Sequence, residues 1–252
     1  MIDALVLAGS VNNGQLKNLS PEPYEALIKI GSIPMVLYVI RALRSNREVG
    51  RIVVVGPPGI KRELPADVIW LESGLTMMEN IKKGNALMDS HYLVASSDIP
   101  LLTAGSVSGF LALCKELKDD VYFPLIPREV VEKTFPRAQR TYVTFREGVF
   151  TGGNLFLVNP QVVEQCLVIG QELVDLRKRV IALARRVGLP LLIKLLLRLL
   201  TLQEAQEKVS QMLNIKGRAI ICPYPEVGMD IDKPADLEII CQAMGYDLRQ
   251  SL

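Results

Sequence analysis

Continuous apolar runs, separated by segments with a helical pattern, fill the first part of the chain. The runs at Ala4–Leu7, Arg51–Val55, Val68–Leu71 and Tyr92–Ala95 are typical of strands buried on both faces. Between the first two runs, apolar residues recur at the spacing of one helix face: Met35, Val36, Val39, Ile40 and Leu43. Another helical pattern covers Met77–Leu87. Strands that alternate with helices indicate a parallel sheet with helices on each side, so we predict an α/β fold with a mostly parallel central sheet.

The second part of the chain adds more strands and a long helical block. Strand patterns occur at Val121–Leu125, Thr141–Phe145, Asn154–Val158 and Arg218–Cys222, and a helix is expected over Ala235–Met244. The block at 160–214 is helical in pattern almost throughout. Because the strand at 218–222 can be buried only by rejoining the sheet, we predict that residues 1–252 form one domain with a helical insertion at about 160–214.

The most apolar segment of the chain is Val187–Leu202, VGLPLLIKLLLRLLTL. Lys194 and Arg198 are four residues apart, so in a helix both lie on one face, opposite the leucines. The segment is shorter than the roughly 20 residues that a membrane-spanning helix needs. We therefore predict an amphipathic helix beginning at Pro190 and no membrane span. Its leucines are expected to pack in the protein's own core, with a homodimer interface second and a membrane surface third.

Composition and charge exclude several classes of protein. Hydrophobic residues make up 49% of the chain and charged residues 22%, as in ordinary soluble globular proteins. The 29 basic and 27 acidic residues give a net charge of +2, without the basic excess of a nucleic-acid-binding protein. The cysteines are too far apart for a zinc site or a redox pair: Cys114, Cys166, Cys222 and Cys241. Free thiols and an N-terminus without a basic leader favour a cytoplasmic protein.

Three segments with candidate chemistry come at the ends of predicted strands. Leu7–Ser10 offers small residues whose N–H groups can approach a phosphate. Asp98 follows the strand at Tyr92–Ala95, and Asp230 and Asp232 precede the last helix. Ligands of open parallel sheets bind beyond the carboxyl ends of the strands, where one or two carboxylates and a substrate phosphate suit Mg²⁺. The alternative for Asp230 and Asp232 is a helix N-cap.

The segments LVLAG, SSDIPLLT and DIDKPADLE, in this order, resemble the MobA-like nucleoside triphosphate transferases. The resemblance covers about 1–160 and 217–244 and leaves the helical block unexplained. It implies a Rossmann-like sheet of the glycosyltransferase-A type. It also implies a Mg²⁺-dependent nucleotidyltransferase, which moves NMP from an NTP to a small phosphorylated or cofactor-like acceptor.

The resemblance also implies roles for individual residues. The nucleotide-holding loop is matched by Leu7, Ala8, Gly9 and Ser10, and the base-contacting loop by Ser73 and Gly74. Asp98 matches the first metal carboxylate, and Asp232 matches the second better than Asp230 does. Gly153 and Asn154 match the acceptor loop. The implied reaction is an in-line attack of an acceptor oxygen on the α-phosphorus.

The chain departs from the family pattern in its first loop. Ser10 replaces a glycine, no Arg precedes Pro34, and Glu25 stands where the family has a lysine. At about 4 Å and an effective dielectric of about 20, this exchanges an attraction to the triphosphate of about 4 kcal/mol for a similar repulsion. Either Lys17 or Lys29 compensates, or the triphosphate is not bound in the way of the family. Lys29 lies on the same side as Glu25 if the segment is an alternating strand, and the alternative for both lysines is a solvated surface charge. The alternatives are a non-catalytic nucleotide- or metabolite-binding protein and a glycosyltransferase-like enzyme that uses a nucleotide-sugar.

The basic stretch Arg128–Arg140 is a candidate wall of the acceptor site. Arg137 and Arg140 lie in it, interleaved with Phe135 and followed by Tyr142. Such a pattern suits an anionic acceptor, and a solvated loop is the alternative. The expected partners are therefore an NTP and a small-molecule acceptor.

Overall fold

The computed structural model describes residues 1–114, 116–167, 169 and 188–247. Its strands are β1 Ile2–Leu7, β2 Lys29–Ile30, β3 Ile33–Pro34, β4 Val49–Gly56, β5 Ile69–Glu72, β6 Tyr92–Ser96, β7 Val121–Pro127, β8 Val143–Phe145, β9 Gly148–Gly152, β10 Leu155–Val158 and β11 Gly217–Ile221. Its helices are α1 Met35–Arg44, α2 Met77–Asn85, α3 Ala104–Leu113, α4 Arg128–Thr134, α5 Leu189–Leu196, α6 Leu202–Leu213 and α7 Pro234–Ala243.

One large sheet, which is mostly parallel, organises these elements. Strands β5, β4, β1 and β6 pair in that order and run parallel. Strand β10 lies antiparallel between β6 and β7, and β11 pairs parallel with β7 on its other side. Strand β9 continues along β7 next to β10 and pairs with β8, both antiparallel. The predicted α/β class with a mostly parallel central sheet is confirmed.

Both faces of the sheet are buried, as the continuous apolar runs predicted. Ala4 and Val6 of β1 point into a core cluster shared with α1 and α3, whereas Leu5 points into a second cluster on the other face. The second face is covered by α2, where an added Cβ at Gly84 would lie 2.3 Å from Leu5 Cδ1. Only a glycine permits this close approach of helix and strand.

Asp120, just before β7, holds both ends of the long connection between β10 and β11. Asn159 donates its backbone N–H to the Asp120 carbonyl oxygen at 2.7 Å. At the other end, the Lys216 N–H donates to Asp120 Oδ2 at 2.8 Å, and the Asp120 N–H donates to the Lys216 carbonyl oxygen at 2.7 Å. The ends of the connection are therefore fixed at the start of β7.

The prediction of one continuous helix through the leucine-rich segment is wrong. Helix α5 ends at Leu196, and Arg198 has a left-handed backbone, with φ of 57°. A new helix, α6, begins after Thr201, whose side chain accepts from the Glu204 N–H. Lys194 contacts Glu204 across this break, so Lys194 and Arg198 do not share one helical face. The first residue of the predicted segment, Val187, lies outside the described residues.

The leucines of this segment differ strongly in exposure. Leu200 is only 5% exposed, whereas Leu196 is 72% exposed. Ile193, Leu197 and Leu199 are also exposed. Packing against the protein's own core is therefore observed for Leu200, and the dimer and membrane-surface alternatives stay predictions. Across residues 1–114, 116–167, 169 and 188–247, no helix combines the length and apolar character needed to cross a membrane.

Candidate functional site

The loop after β1 leaves the sheet between two neighbouring strands. The Ala8 N–H donates to the Val55 carbonyl oxygen at 2.8 Å, and Ser97 donates to the Leu7 carbonyl oxygen at 3.1 Å. The next two backbone N–H groups, those of Gly9 and Ser10, bond to no other residue that the structure describes. Successive N–H donors without protein partners at a strand end can receive an anion. This is the position that was predicted to hold the nucleotide.

The predicted base-contacting loop lies against Gly9. The Ser73 N–H donates to the Gly56 carbonyl oxygen at 3.0 Å, which places the loop beyond β4. An added Cβ at Gly9 would lie 2.8 Å from both Ser73 Cβ and Asn80 Nδ2. Gly9 is therefore required where the two loops meet.

Asn80, in α2, is a site residue that the sequence analysis missed. It is buried, and its Oδ1 accepts from the Gly74 N–H at 2.6 Å. Because Oδ1 accepts this hydrogen bond, the other end of the amide group, Nδ2, points towards Gly9. Asn80 thus fixes the spacing between the first loop and the loop at Ser73 and Gly74. A signal existed, since Asn80 lies four residues before Gly84 on the buried face of α2.

Glu25 lies beside the same loop, but not on a strand. Its backbone N–H donates to the Ser10 carbonyl oxygen at 3.0 Å, and residues Glu25–Leu27 form a 3₁₀ turn. The strand that follows contains only Lys29 and Ile30. The expectation that Lys29 shares one side of an alternating strand with Glu25 is therefore wrong. Lys29 is exposed, as is Lys17 in the short helical turn Gln15–Asn18.

Asp98 follows β6 and is held at the strand end. Its carboxylate accepts a hydrogen bond from the Ser96 hydroxyl, and its carbonyl oxygen accepts from the Ile231 N–H at 3.0 Å. Burial is the largest influence on Asp98 and raises its pKa to about 6, with the carboxylates of Asp232 and Glu25 adding to this increase and the Ser96 hydrogen bond opposing it. The carboxylates of Asp232 and Glu25 therefore both repel that of Asp98.

Asp232 sits on a loop that is tied down around it. The Asp232 and Lys233 N–H groups both donate to Asp236 Oδ2 at 3.2 Å. Helix α7 begins at Pro234, after Lys233, so neither Asp230 nor Asp232 is its N-cap residue. The alternative role as an N-cap is therefore wrong for both. The Asp232 side chain is exposed at the carboxyl edge of the sheet, next to Asp98.

Asp230 and Arg140 are engaged with each other. Arg140 Nη2 contacts the Asp230 carboxylate, and Nη1 donates to the Asp230 carbonyl oxygen at 3.1 Å. Each therefore has an oppositely charged partner within the protein, and the roles of Asp230 as a metal ligand and of Arg140 as an acceptor contact stay predictions. Arg137 contacts Gln242 and lies 3.8 Å from Glu238, so it also faces α7.

The predicted acceptor loop lies between β9 and β10, which both pair antiparallel with β7. The Gly153 N–H donates to the Pro124 carbonyl oxygen at 3.0 Å, and the Asn154 N–H donates to the Val227 carbonyl oxygen at 2.9 Å. An added Cβ at Gly153 would lie 2.9 Å from Ile126 Cδ1, so Gly153 is required for packing. The Asn154 side chain bonds to no other residue in the part of the chain described, and its contact to an acceptor stays a prediction.

The donor chemistry of the site fits a magnesium ion that is bound together with a phosphate. Carboxylate oxygens are ligands that Mg²⁺ prefers, and it commonly takes only one or two of them plus substrate phosphates. Asp98 and Asp232 supply such oxygens, and their mutual repulsion would be relieved by a cation. No three His, Cys, Asp or Glu residues within the described ranges are close enough to hold a metal by themselves. The arrangement thus suits an ion that arrives with an anionic ligand.

Solved structures share this fold. A 2-C-methyl-D-erythritol 4-phosphate cytidylyltransferase from Thermus thermophilus is 16% identical, with 97% of this chain and 98% of that chain covered and a TM-score of 0.56. A CMP:2-keto-3-deoxy-manno-octonic acid synthetase complexed with CTP is 12% identical, with 97% and 98% covered and a TM-score of 0.59. The fold is therefore the α/β fold of the nucleotide-diphospho-sugar transferases, which the nucleotidyltransferases share.

One similarity is much stronger. A hypothetical transferase, also from Thermus thermophilus, is 37% identical, with 94% of this chain and 99% of that chain covered and a TM-score of 0.82. The chain belongs to the same family as this transferase. No protein-family model matches the chain, and no curated protein does. The narrower assignment to the MobA-like transferases stays a prediction.

Proposed function

We propose that the protein is a nucleotidyltransferase that moves NMP from an NTP to a small phosphorylated or cofactor-like acceptor. The observation that carries the proposal is the hydrogen bond from the Ile231 N–H to the Asp98 carbonyl oxygen, 3.0 Å long. It brings the loop of Asp232 to Asp98, on the sheet edge where Gly9 and Ser10 present N–H groups that bond to no other described residue. Phosphate donors and two carboxylates at one edge are the parts that phosphoryl-group chemistry needs.

Each group of residues has a separate role in this proposal. Gly9 and Ser10 bind phosphate oxygens of the NTP through their N–H groups, and the loop at Ser73 and Gly74 faces the base. Asp98 and Asp232 hold Mg²⁺, which when bound neutralises charge on the phosphates and orients the leaving pyrophosphate. An acceptor oxygen attacks the α-phosphorus in line, and the bond from that phosphorus to the bridging oxygen of pyrophosphate breaks. Asn154 is the proposed contact to the acceptor, with Arg137 further along the same wall.

The names of two structures with this fold suggest which nucleotide to test first. One is a cytidylyltransferase and the other is complexed with CTP. We therefore propose CTP as the first NTP to test. The experiment is calorimetric titration with CTP, UTP, GTP and ATP, each with and without Mg²⁺. Binding of one NTP that strengthens with Mg²⁺ is expected, and no binding of any of the four would contradict the proposal.

Glu25 favours a second candidate function, a non-catalytic nucleotide- or metabolite-binding protein. Its carboxylate acts on Asp98 electrostatically and therefore adds negative charge where a triphosphate would lie. The two candidates differ in pyrophosphate release, which only the enzyme shows. If the wild-type protein binds an NTP without releasing pyrophosphate and Glu25→Lys gains release, the protein is a binding protein derived from an enzyme.

Hydrolysis of UDP- or GDP-sugars instead of NTPs would indicate the glycosyltransferase-like alternative.

A further inference from the structure

The loop that carries Asp232 is fixed at three successive points. Asp230 is held by Arg140, through its carboxylate and its carbonyl oxygen. Ile231 donates its N–H to the Asp98 carbonyl oxygen. The Asp232 and Lys233 N–H groups donate to Asp236 Oδ2. Asp232 is therefore the residue of this loop whose backbone is constrained on both sides while its side chain stays exposed.

The Arg140–Asp230 pair is nearly enclosed by the protein. The side chains of Arg140 and Asp230 are 10% and 15% exposed, and the neighbouring Ile231 and Met229 are fully buried. A buried ion pair loses its hydration, and well-packed apolar residues often stabilise a protein equally well or better. Overall stability therefore does not explain why charged residues occupy this position.

The geometry of the contact is specific to arginine. Two nitrogens of one guanidinium reach two different oxygens of Asp230, so both its side chain and its backbone are fixed. A lysine offers a single point charge without this fork. The segment of Arg140 is itself held, because Lys233 Nζ donates to the Gln139 carbonyl oxygen at 3.4 Å.

We propose that Arg140 is a positioning residue that acts through Asp230 to hold Asp232 opposite Asp98. The purpose of this placement rests on the proposed function, in which Asp98 and Asp232 bind Mg²⁺. The placement itself is a property of the loop and can be measured without metal or substrate.

Amide hydrogen exchange, followed residue by residue by NMR, tests the placement. In Arg140→Met, exchange of the Ile231, Asp232 and Lys233 N–H groups is expected to become at least about tenfold faster, while exchange in β1 and β4 stays unchanged. Arg140→Lys should have an intermediate effect. Combining Arg140→Met with Asp230→Asn should add little to either change alone, because both remove the same contact.

Arg218→Met is the matched control. Arg218 also contacts a carboxylate, that of Asp119, but at the starting ends of β7 and β11, on the opposite edge of the sheet. Its loss should leave exchange at Ile231, Asp232 and Lys233 unchanged. Wild-type exchange at these three residues in a folded Arg140→Met protein would overturn the proposal. If Arg140→Met is globally unstable, Asp230→Asn decides: faster exchange confined to this loop supports the proposal, and a uniform increase overturns it.

Titration with Mn²⁺ alone, followed by electron paramagnetic resonance, separates this proposal from the proposed function. If the wild-type protein binds Mn²⁺, Arg140→Met should weaken binding about 10–100-fold, as is usual for residues that orient metal ligands. If the wild-type protein does not bind Mn²⁺ alone while the exchange result holds, the positioning of the loop by Arg140 is supported, and Asp98 and Asp232 bind no metal in the absence of an anionic ligand. Unchanged Mn²⁺ affinity in a folded Arg140→Met protein would contradict the positioning of Asp232.

Discussion

The Ile231 N–H donates to the Asp98 carbonyl oxygen at 3.0 Å, which joins the end of β6 to the loop before α7. The carboxylate of Asp98 is thereby placed close enough to that of Asp232 for their charges to interact. Neither segment could place its carboxylate alone, because Asp98 belongs to the central sheet and Asp232 to a loop that follows β11. The two carboxylates therefore come together only after β11 has paired with β7 and α7 has packed in place.

Asp98 should make the stability of the metal-free protein depend on pH. Its pKa is raised from 3.8 to about 6, so its contribution to stability is fully present below about pH 4 and is lost as the pH rises through 6. The expected loss is roughly 3 kcal/mol. Asp98→Asn should remove this loss. Urea unfolding at pH 4.5 and 7.5 in the presence of EDTA should show about 2 kcal/mol of this loss, because the rest occurs below pH 4.5. An equal pH dependence in both proteins would contradict the assignment.

Asp232→Asn should slow transfer strongly without unfolding the protein. The side chain is exposed, so its replacement removes a charge and little packing. Loss of a metal ligand that is worth several kcal/mol in the transition state corresponds to a decrease in rate of about 100-fold or more. Pyrophosphate release measures the rate, and thermal unfolding checks the fold. A variant with wild-type release would show that Asp232 is not a metal ligand.

Gly9→Ala should weaken nucleotide binding. Its Cβ would lie 2.8 Å from Asn80 Nδ2 and Ser73 Cβ, so the two loops must separate to accept it. Gly14→Ala is the matched control in the same connection, because an added Cβ there meets nothing within 4 Å. Calorimetric titration with CTP compares the two. Equal affinities of the two variants would argue against a role of the first loop in binding.

Glu25→Gln should lower the pKa of Asp98. The Glu25 carboxylate raises this pKa by repulsion, and a neutral amide of similar shape removes that repulsion. The titration of the Asp98 carboxyl carbon, followed by NMR, should move to lower pH. Glu63→Gln, an exposed carboxylate after the turn Pro58–Arg62, serves as the control and should leave the titration unchanged.

Leu200 and Leu196 should differ sharply on replacement by alanine. Leu200 is 5% exposed and Leu196 is 72% exposed. Leu200→Ala is expected to reduce the free energy of unfolding by about 2–5 kcal/mol. Leu196→Ala should change it by less than about 0.5 kcal/mol. Urea unfolding measures both values, and light scattering of the Leu196→Ala protein would reveal a change in mass if this leucine lies in a homodimer interface.

The sheet was largely predictable because buried parallel strands leave an uninterrupted apolar signature. Helix α3 was missed, since its apolar residues are distributed around the helix instead of along one face. The end of α5 was missed for another reason, because leucines favour a helix and nothing in them indicates the left-handed Arg198. Thr201 and Glu204 did carry a readable signal, the spacing of a capping box that begins a new helix.

The site was predictable at the level of segments and less so at the level of side chains. The strand ends were expected to meet at one edge of the sheet, and Leu7–Ser10, Ser73 and Asp98 do. The pairing of Arg140 with Asp230 depends on how a distant segment packs against α7, which periodicity and spacing do not encode. Two charged residues that the sequence offered as ligand contacts, Arg140 and Asp230, therefore contact each other in the folded protein.

The hydrogen bonds of Asp120 to Asn159 and Lys216 also bear on how this protein can change over evolutionary time. They close the connection between β10 and β11 at its base, while Ser210 and Gln206 of α6 accept hydrogen bonds from the Gly217 and Ala219 N–H groups of β11. Changes of length in this connection that leave Leu200 and α6 in place should therefore be tolerated, and related proteins can diversify there while the sheet edge that carries Asp98 and Asp232 is preserved.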